Sequence, residues 1–565
     1  MFFTLAVSAS TADECAALTE RARVTDPRIM PVPGPAEVTW RSPDGRAAIL
    51  RWGRVSEPFA AGGAAAATSS PPSTSPPSTS PPSSSPASSS PARDSPAVAS
   101  YGGTIWTDTE ISGGTRPPVY AKTSITRVDP VYVAEIPGAV VLSDRAMWAA
   151  AVADRMGEHD PDHACALLNT GFPLGTSTPF KGVSALPPAA SAHLLSGQLT
   201  VVRGDLNSSG LSREATAADV ASALVAAVAP LAEAGEPVEL SLTGGKDSRL
   251  IVAALVAAGV PVHAKTHGFP AHPDVTVAAE VARRLGIEHR VLTPTEPSQR
   301  TDVAARLRAA VLVADGMLSA FENVGRPDPS AAPALTAGGH GGELLRGGYA
   351  EVAAGRRAAR LRAAEVLRRL TTKHAGLLRR GTAAAYLAGL TPWTGTAISR
   401  GPLAMLDDFY LVNRAGRWSA AARQAYLIRE RLVQPLFDEH VVRAARAIPL
   451  GLRTDGTLSR TVLTELSPVL ADLPYAGKPA KGSLPVTFDW RRQYGEEVAA
   501  FFRDYILDLG AAGGLFDVVS RSAAEKLLTP QHPDRATVWV LATLSCLLSG
   551  DYRNAREPSP VLSVS

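Results

Sequence analysis

The sequence predicts an α/β chain in two parts, and three observations carry that prediction. Residues 1 to about 210 hold short apolar runs bounded by Gly, Pro and Asp, the pattern of strands. From residue 211 onward, strand and helix patterns alternate, as a doubly wound parallel sheet with helices on both faces requires, before giving way to a nearly all-helical tail. At the first strand-to-helix junction of this second part stands Ser241-Leu242-Thr243-Gly244-Gly245-Lys246-Asp247-Ser248-Arg249, a Gly-rich turn with a carboxylate and hydroxyls.

The elements follow in order. Met1 to Val7 is apolar, has no basic stretch ahead of it and soon meets Asp13 and Glu14, so a first strand is expected there and not a signal peptide. Ala47 to Trp52 and Ala139 to Leu142 read as further strands. Between them, Ala61 to Ala97 repeats Ser-Pro-Pro-Ser-Thr without core-forming residues and is expected to be a disordered surface insertion. Ala217 to Ala234 is an Ala/Val/Leu helix feeding a strand in which Val238, Leu240 and Leu242 alternate, and Leu250 to Leu255 leaves the Gly-rich turn as a helix. A helix over Val275 to Leu285 and a strand over His289 to Leu292 come next; the alternation runs to about Leu335, and Leu344 to Ala385 opens the helical tail.

Composition narrows the function. At 565 residues and 45% hydrophobic, the chain can bury more than one core. The tail's arginines, Arg356 to Arg380, interleave with Ala and Leu and not with aromatics, and the net charge is only +3; an exposed helix face is expected and a nucleic-acid partner is not. No run reaches the roughly eighteen apolar residues of a membrane span. The three cysteines include no Cys-x-x-Cys pair, so neither a zinc site nor a disulfide framework is indicated, which fits a reducing cytoplasm. Cys15, Cys165 and Cys546 are expected at packing positions.

The Gly-rich turn is a phosphate cradle. Gly244 and Gly245 allow a tight backbone, the following helix start offers N–H donors, and Asp247 is placed to hold Mg²⁺. The spacing matches neither Gly-x-x-x-x-Gly-Lys-Ser/Thr nor Gly-x-Gly-x-x-Gly. It resembles instead the Ser-Gly-Gly-x-Asp-Ser pyrophosphate loop of N-type ATP pyrophosphatases, with Thr243 in the first Ser position. A second segment, Gly339-His340-Gly341-Gly342-Glu343-Leu344-Leu345-Arg346-Gly347-Gly348-Tyr349, resembles without a gap the Gly-Glu-Gly-Ser-Asp-Glu-Leu-Phe-Gly-Gly-Tyr of asparagine synthetases. Thr266-His267-Gly268-Phe269 and Asp274 lie between the two in that family's order, and Pro435-Leu436-Phe437-Asp438 resembles its Pro-Phe-Leu-Asp. Thr178 to Val183 with Leu186 to Ala189 is similar to the segment closing its glutaminase half. On these motifs the chain is identified as a member of the asparagine synthetase-like family, which includes β-lactam synthetases and lasso peptide cyclases.

The resemblance implies a degenerate N-terminal-nucleophile, glutaminase-like αββα sandwich over 1–210 and an ATP pyrophosphatase (synthetase) domain over 211–565. It implies ATP held by Leu242, Thr243, Gly244, Gly245, Lys246, Asp247, Ser248, Thr266 and Gly339, Mg²⁺ by Asp247 and Glu343, and catalysis by His340 with Lys478 or Lys481. Three departures shape the function. The start Met1-Phe2-Phe3 replaces Met-Cys-Gly, so glutamine hydrolysis by an N-terminal cysteine is not expected. His340 stands where the family carries Glu; its imidazole can accept a proton near neutrality, or it is simply a solvated loop residue. Glu343 replaces Asp with a longer arm of the same charge, as a metal ligand or as a complement to the following helix dipole. Lys478 and Lys481 stabilise an oxyanion or are loop surface charges.

The expected activity is therefore ATP-dependent amide formation through an acyl-adenylate with pyrophosphate release. The resemblance points to a lasso-peptide-type macrolactam cyclase acting on a peptide, with a leader-binding protein and a protease as the partners such a reaction implies. The alternatives are an ammonia-using asparagine synthase, a β-lactam-synthetase-like small-molecule ligase, and a non-catalytic ATP-binding relative.

Overall fold

The computed structural model describes residues 3–31, 35–52, 104–107, 118–207, 213–233, 235–294, 300–322, 334–354, 359–427, 431–477, 490–492, 494–529, 534–555 and 562–563. The Ser/Pro insertion at 61–97 lies outside them.

The N-terminal part is two packed antiparallel sheets. The larger has six strands in the order Ala36–Arg41, Ala47–Trp52, Phe3–Ala9, Ala139–Ser143, Tyr132–Ile136 and Val183–Ala185. The smaller has four, Gln198–Arg203, Ala190–Leu195, Val119–Lys122 and Thr104–Thr107. Because strand side chains alternate, Ala6, Ile49, Val133, Val140 and Leu142 of the first sheet face Val119, Ala121, Ala192 and Leu194 of the second. Leu5, Val7, Leu50 and Val141 point the other way, onto the helices Ala12–Arg23 and Ala146–Val152. The outer face of the smaller sheet is exposed at Ser191, Leu195 and Val202. Among the described residues the layers are thus helix, sheet, sheet, where the sequence led us to expect a fourth.

The second part is built on a parallel sheet in the order Glu288–Leu292, Val262–His267, Val238–Ser241, Leu335–Ala337, Arg431–Val433. Val238, Leu240, Val262, Ala264 and Ala337 face a core shared with the helices Ala217–Val228, Lys246–Ala257, Pro273–Leu285 and Thr457–Leu466. Among the described residues the opposite face is covered only at one end, where Thr336 and Leu432 are buried beside the helix Ala420–Leu427. Elsewhere it carries Glu239, Lys265 and Arg290 as a partly exposed charged ladder, so the expectation of helices along both faces holds at that end alone. Two other boundaries move. The helix expected over 217–234 stops at Val228, with Pro230 opening a separate short turn because proline cannot continue a helix. The tail expected from Leu344 starts as a 3₁₀ turn, Gly342–Arg346, and breaks at Gly347 and Gly348, both left-handed, before Ala350–Ala353.

The two parts share one core. Trp148, Leu167 and Cys165 pack in the same cluster as Val303, Leu307 and Val311 of the helix Val303–Val313 and Trp539, Leu541 and Leu544 of the helix Arg535–Ser549. A fully buried Arg145–Asp315 ion pair bridges them, and Asp315 also accepts the Ala146 N–H at 2.8 Å. A second buried cation, Arg127, makes its bonds to carbonyls. Its guanidinium donates to Leu186 O at 3.1 Å, Gly175 O at 2.9 Å, Val412 O at 3.1 Å and Gly416 O at 3.3 Å. The last two belong to the π-helix Tyr410–Ser419, which continues the helix Pro402–Phe409. A Cβ on Gly416 would meet Thr126 O at 2.9 Å, so only glycine allows that approach. Each unsatisfied buried polar group costs about 1–3 kcal/mol. Arg127→Met removes all four of these bonds, and is expected to destabilise the protein by more than about 3 kcal/mol, read as a lowered melting temperature.

Candidate active site

In an open parallel sheet, ligands bind beyond the carboxyl ends of the strands where the connection order reverses. Here the chain leaves Val238–Ser241 for strands on one side and returns with Leu335–Ala337 on the other, so the reversal lies between these two. The loops leaving them are residues 242–245 and 338–342, the two Gly-rich segments singled out in the sequence.

The first loop is organised from within. Ser248 Oγ accepts the Thr243 N–H at 3.1 Å and lies 3.0 Å from Thr243 Oγ1, which accepts the Gly245 N–H at 3.2 Å. Asp274 Oδ1 accepts the Gly244 N–H at 3.1 Å, and Thr266 donates to Leu242 O at 2.7 Å, tying the neighbouring strand to the turn. Gly245 is the N-cap of Lys246–Ala257 and provides no side-chain cap, so the N–H donors of the first helical turn stay open to an anion. The second loop lies directly against the first. A Cβ on Gly339 would come within 3.0 Å of Ser248 N, and one on Gly342 within 2.0 Å of Asp247 Cγ.

Side chains with chemistry line this contact. Arg346 Nη1 donates to Asp247 Oδ1 at 2.7 Å and its Nε to Glu351 at 3.2 Å. Burial pushes the Asp247 carboxyl above its ordinary pKa while Arg346 pulls it back. Tyr410 donates its hydroxyl to Glu343 Oε2 at 2.9 Å; burial, then the Glu343 charge, hold that phenol well above its ordinary pKa. Among the described residues, these bonds leave Asp247 Oδ2 and Glu343 Oε1 without a donor. Mg²⁺ binds through one or two carboxylates, phosphates and waters, and this pair fits that demand, although no group of three His, Cys, Asp or Glu among the described residues makes a self-sufficient metal cluster. His340 is exposed at its surface, and the protein around it desolvates the ring and lowers its pKa from the ordinary 6.5; Glu343 opposes that shift and Arg414 adds to it.

The structure thus brings together Thr243, Gly244, Gly245, Lys246, Asp247, Ser248, Gly339, His340 and Glu343, with Leu242 and Thr266 supporting the loop from the sheet. Lys478 and Lys481 lie outside the described residues, but the chain leading to them is fixed. Ala476 donates its N–H to Gly244 O at 2.9 Å, and buried Arg249 donates to Leu473 O at 2.8 Å and Pro474 O at 3.0 Å while lying 4.5 Å over the Tyr475 ring. Sequence reasoning missed Arg346, whose signal was a basic residue where the compared motif has Phe, and Tyr410, whose stretch shows no motif.

A family model described as asparagine synthase matches residues 219–548. No curated protein matches the chain. Overpacking a tight contact costs about 1–3 kcal/mol, so Gly342→Ala is expected to weaken nucleotide binding by about 10-fold or more, measured by titration calorimetry with ATP.

Proposed function

The chain belongs to the asparagine synthase family of ATP-dependent ligases, and on that premise we propose that it joins a carboxylate to an amine through an acyl-adenylate, releasing pyrophosphate and AMP. The observation that carries the reading is the contact of the two Gly-rich loops at the sheet's reversal point, which sets an open helix N-terminus, Asp247, Glu343 and His340 on one wall. A substrate carboxylate attacks the α-phosphorus, and the pyrophosphate leaves toward the first-turn N–H groups of Lys246–Ala257. Mg²⁺ held by Asp247 and Glu343 would neutralise charge on the departing phosphates. His340, kept neutral by its lowered pKa, accepts the proton from the amine as it adds to the adenylate carbonyl. Lys481 or Lys478 stabilises the resulting oxyanion, from a segment that begins two residues after the Ala476–Gly244 bond.

The amine source follows from the cysteines. All three are buried, and burial raises each thiol pKa, to about 12 for Cys165 and Cys546, so none serves as a thiolate for releasing ammonia from glutamine. An enzyme that closes a ring within one molecule needs no such donor. We therefore read the product as a macrolactam formed on a peptide, as in lasso peptide cyclases, with a leader-binding protein and a protease as partners and the cytoplasm as the setting. The two N-terminal sheets are read as a glutaminase-like scaffold.

The test measures pyrophosphate and AMP with ATP and Mg²⁺, comparing a linear peptide encoded beside this protein with aspartate plus ammonium. Release only with the peptide, a product lighter by one water, and loss of both in Asp247→Ala are expected; release with aspartate and ammonium overturns the macrolactam reading in favour of an ammonia-using synthase. Because His340 acts unprotonated, the rate should fall on the acid side through a midpoint below 6.5. That limb is expected to vanish in the residual rate of His340→Gln.

A further inference from the structure

The parallel sheet ends in a free edge. Its outermost strand, Glu288–Leu292, pairs with Val262–His267 on one side, and among the described residues nothing bonds to the other. Leu292 O accepts the Gly268 N–H at 3.1 Å, which directs the backbone groups of Glu288, Arg290 and Leu292 inward and those of His289 and Val291 outward. An edge of this kind is a template for another strand. Its side chains are available too: Arg290 and Glu288 are 53% and 57% exposed, and Val291, on the opposite face, is 38% exposed although it is apolar. The two charges are loosely held within their own chain, Arg290 by Glu239 at 3.4 Å and Glu288 by His263 at 3.5 Å.

The edge is complementary to itself in one register. A two-fold axis sets the strand antiparallel to its own copy, and the outward groups of His289 and Val291 have to meet for the ladder to close. With Arg290 on the axis two arginines face each other, and with Val291 on the axis Arg290 faces Leu292. With His289 on the axis, each Glu288 faces the Arg290 of the other copy, in non-hydrogen-bonded positions where Cα atoms approach to about 4.5 Å, and Val291 meets Ile287 on the other face. His289 can sit beside its own copy because it is neutral. Thr266 Oγ1 gives its hydrogen to Leu242 O at 2.7 Å and so accepts from His289 Nε2 at 2.8 Å, and desolvation lowers the imidazole pKa.

We propose that Glu288–Leu292 is a dimerisation edge, on which a second copy of this chain pairs antiparallel about His289, joining two five-stranded sheets and closing a Glu288–Arg290 ion pair on each side of the axis. The charged ladder of Glu239, Lys265 and Arg290 then continues into Glu288 of the second copy. Because the joined strands run in opposite directions, the Gly-rich loops of the two copies lie at opposite ends of the combined sheet, and each copy keeps its own site.

Sedimentation velocity of the full chain tests this with no substrate present and independently of the ligase reading. One short strand per copy makes a small interface, so a reversible dimer with a dissociation constant of roughly 1 to 100 μM is expected. Opposite charges directly across a strand pair attract and like charges repel. Glu288→Arg and Arg290→Glu each set like charges opposite each other, and each is expected to weaken the dimer by about 10-fold or more. An equimolar mixture of the two variants is expected to dimerise to within about threefold of the intact protein, because a chain with two arginines then faces one with two glutamates. Misfolded variants could not complement each other in this way. In either other register Glu288 meets no charge, and Glu288→Arg would weaken nothing. An intact protein that stays monomeric, a dimer indifferent to Glu288→Arg, or a mixture no tighter than its components overturns the proposal.

Discussion

The site depends on two stretches of backbone lying closer than side chains would permit. Gly342 rests on the Asp247 carboxylate, Gly339 on the Ser248 amide, and Gly244 on Ala476. Each of these contacts exists only because a Cβ is missing, and together they decide which groups share a wall. Asp247 and Glu343, distant in sequence, are brought to the same end of the sheet by this packing. Arg346 and Tyr410 then take one oxygen of each carboxylate and turn the other outward. Chemistry here is a product of backbone proximity first and of residue type second.

The N-terminal sheets contribute to that wall although they carry none of its reacting groups. Arg127 gathers carbonyls from both parts, Asn413 accepts the Gly175 N–H at 2.8 Å, and Phe172 packs against Arg414. π-Helical turns are rare and usually persist where a side chain has to be aimed. In this protein the widened stretch is clamped from outside by the N-terminal part of the chain.

How much of this was legible in the sequence differs by feature. The loop at 242–248 and the segment at 339–349 were visible because Gly, Asp and Ser at fixed spacing have few structural substitutes. The helix expected over 275–285 was legible from its period, and the structure has it at Pro273–Leu285. The break at Pro230 was readable from proline itself and was passed over because the apolar pattern continued. Tyr410 was not readable: its role comes from the widening of one helix and from Arg127, whose partners lie far away in the chain. The charged face of the sheet was hidden for a similar reason, since alternating Glu239, His263 and Lys265 betray an open face only once the strands are set side by side.

The core common to both parts has a consequence for how the chain is made. The sheet and helices of residues 3 to 185 present their apolar face to a helix, Arg535–Ser549, near the far end of the chain, and the strand pair Arg300–Thr301 with Leu562–Ser563 closes later still. Synthesis proceeds from the N-terminus at roughly 5–20 residues per second. Leu167, Trp148 and their neighbours therefore wait on the ribosome, for tens of seconds at such rates, with their covering helix not yet made. Until that helix emerges, the apolar face it covers is open to whatever else binds exposed hydrophobic surface.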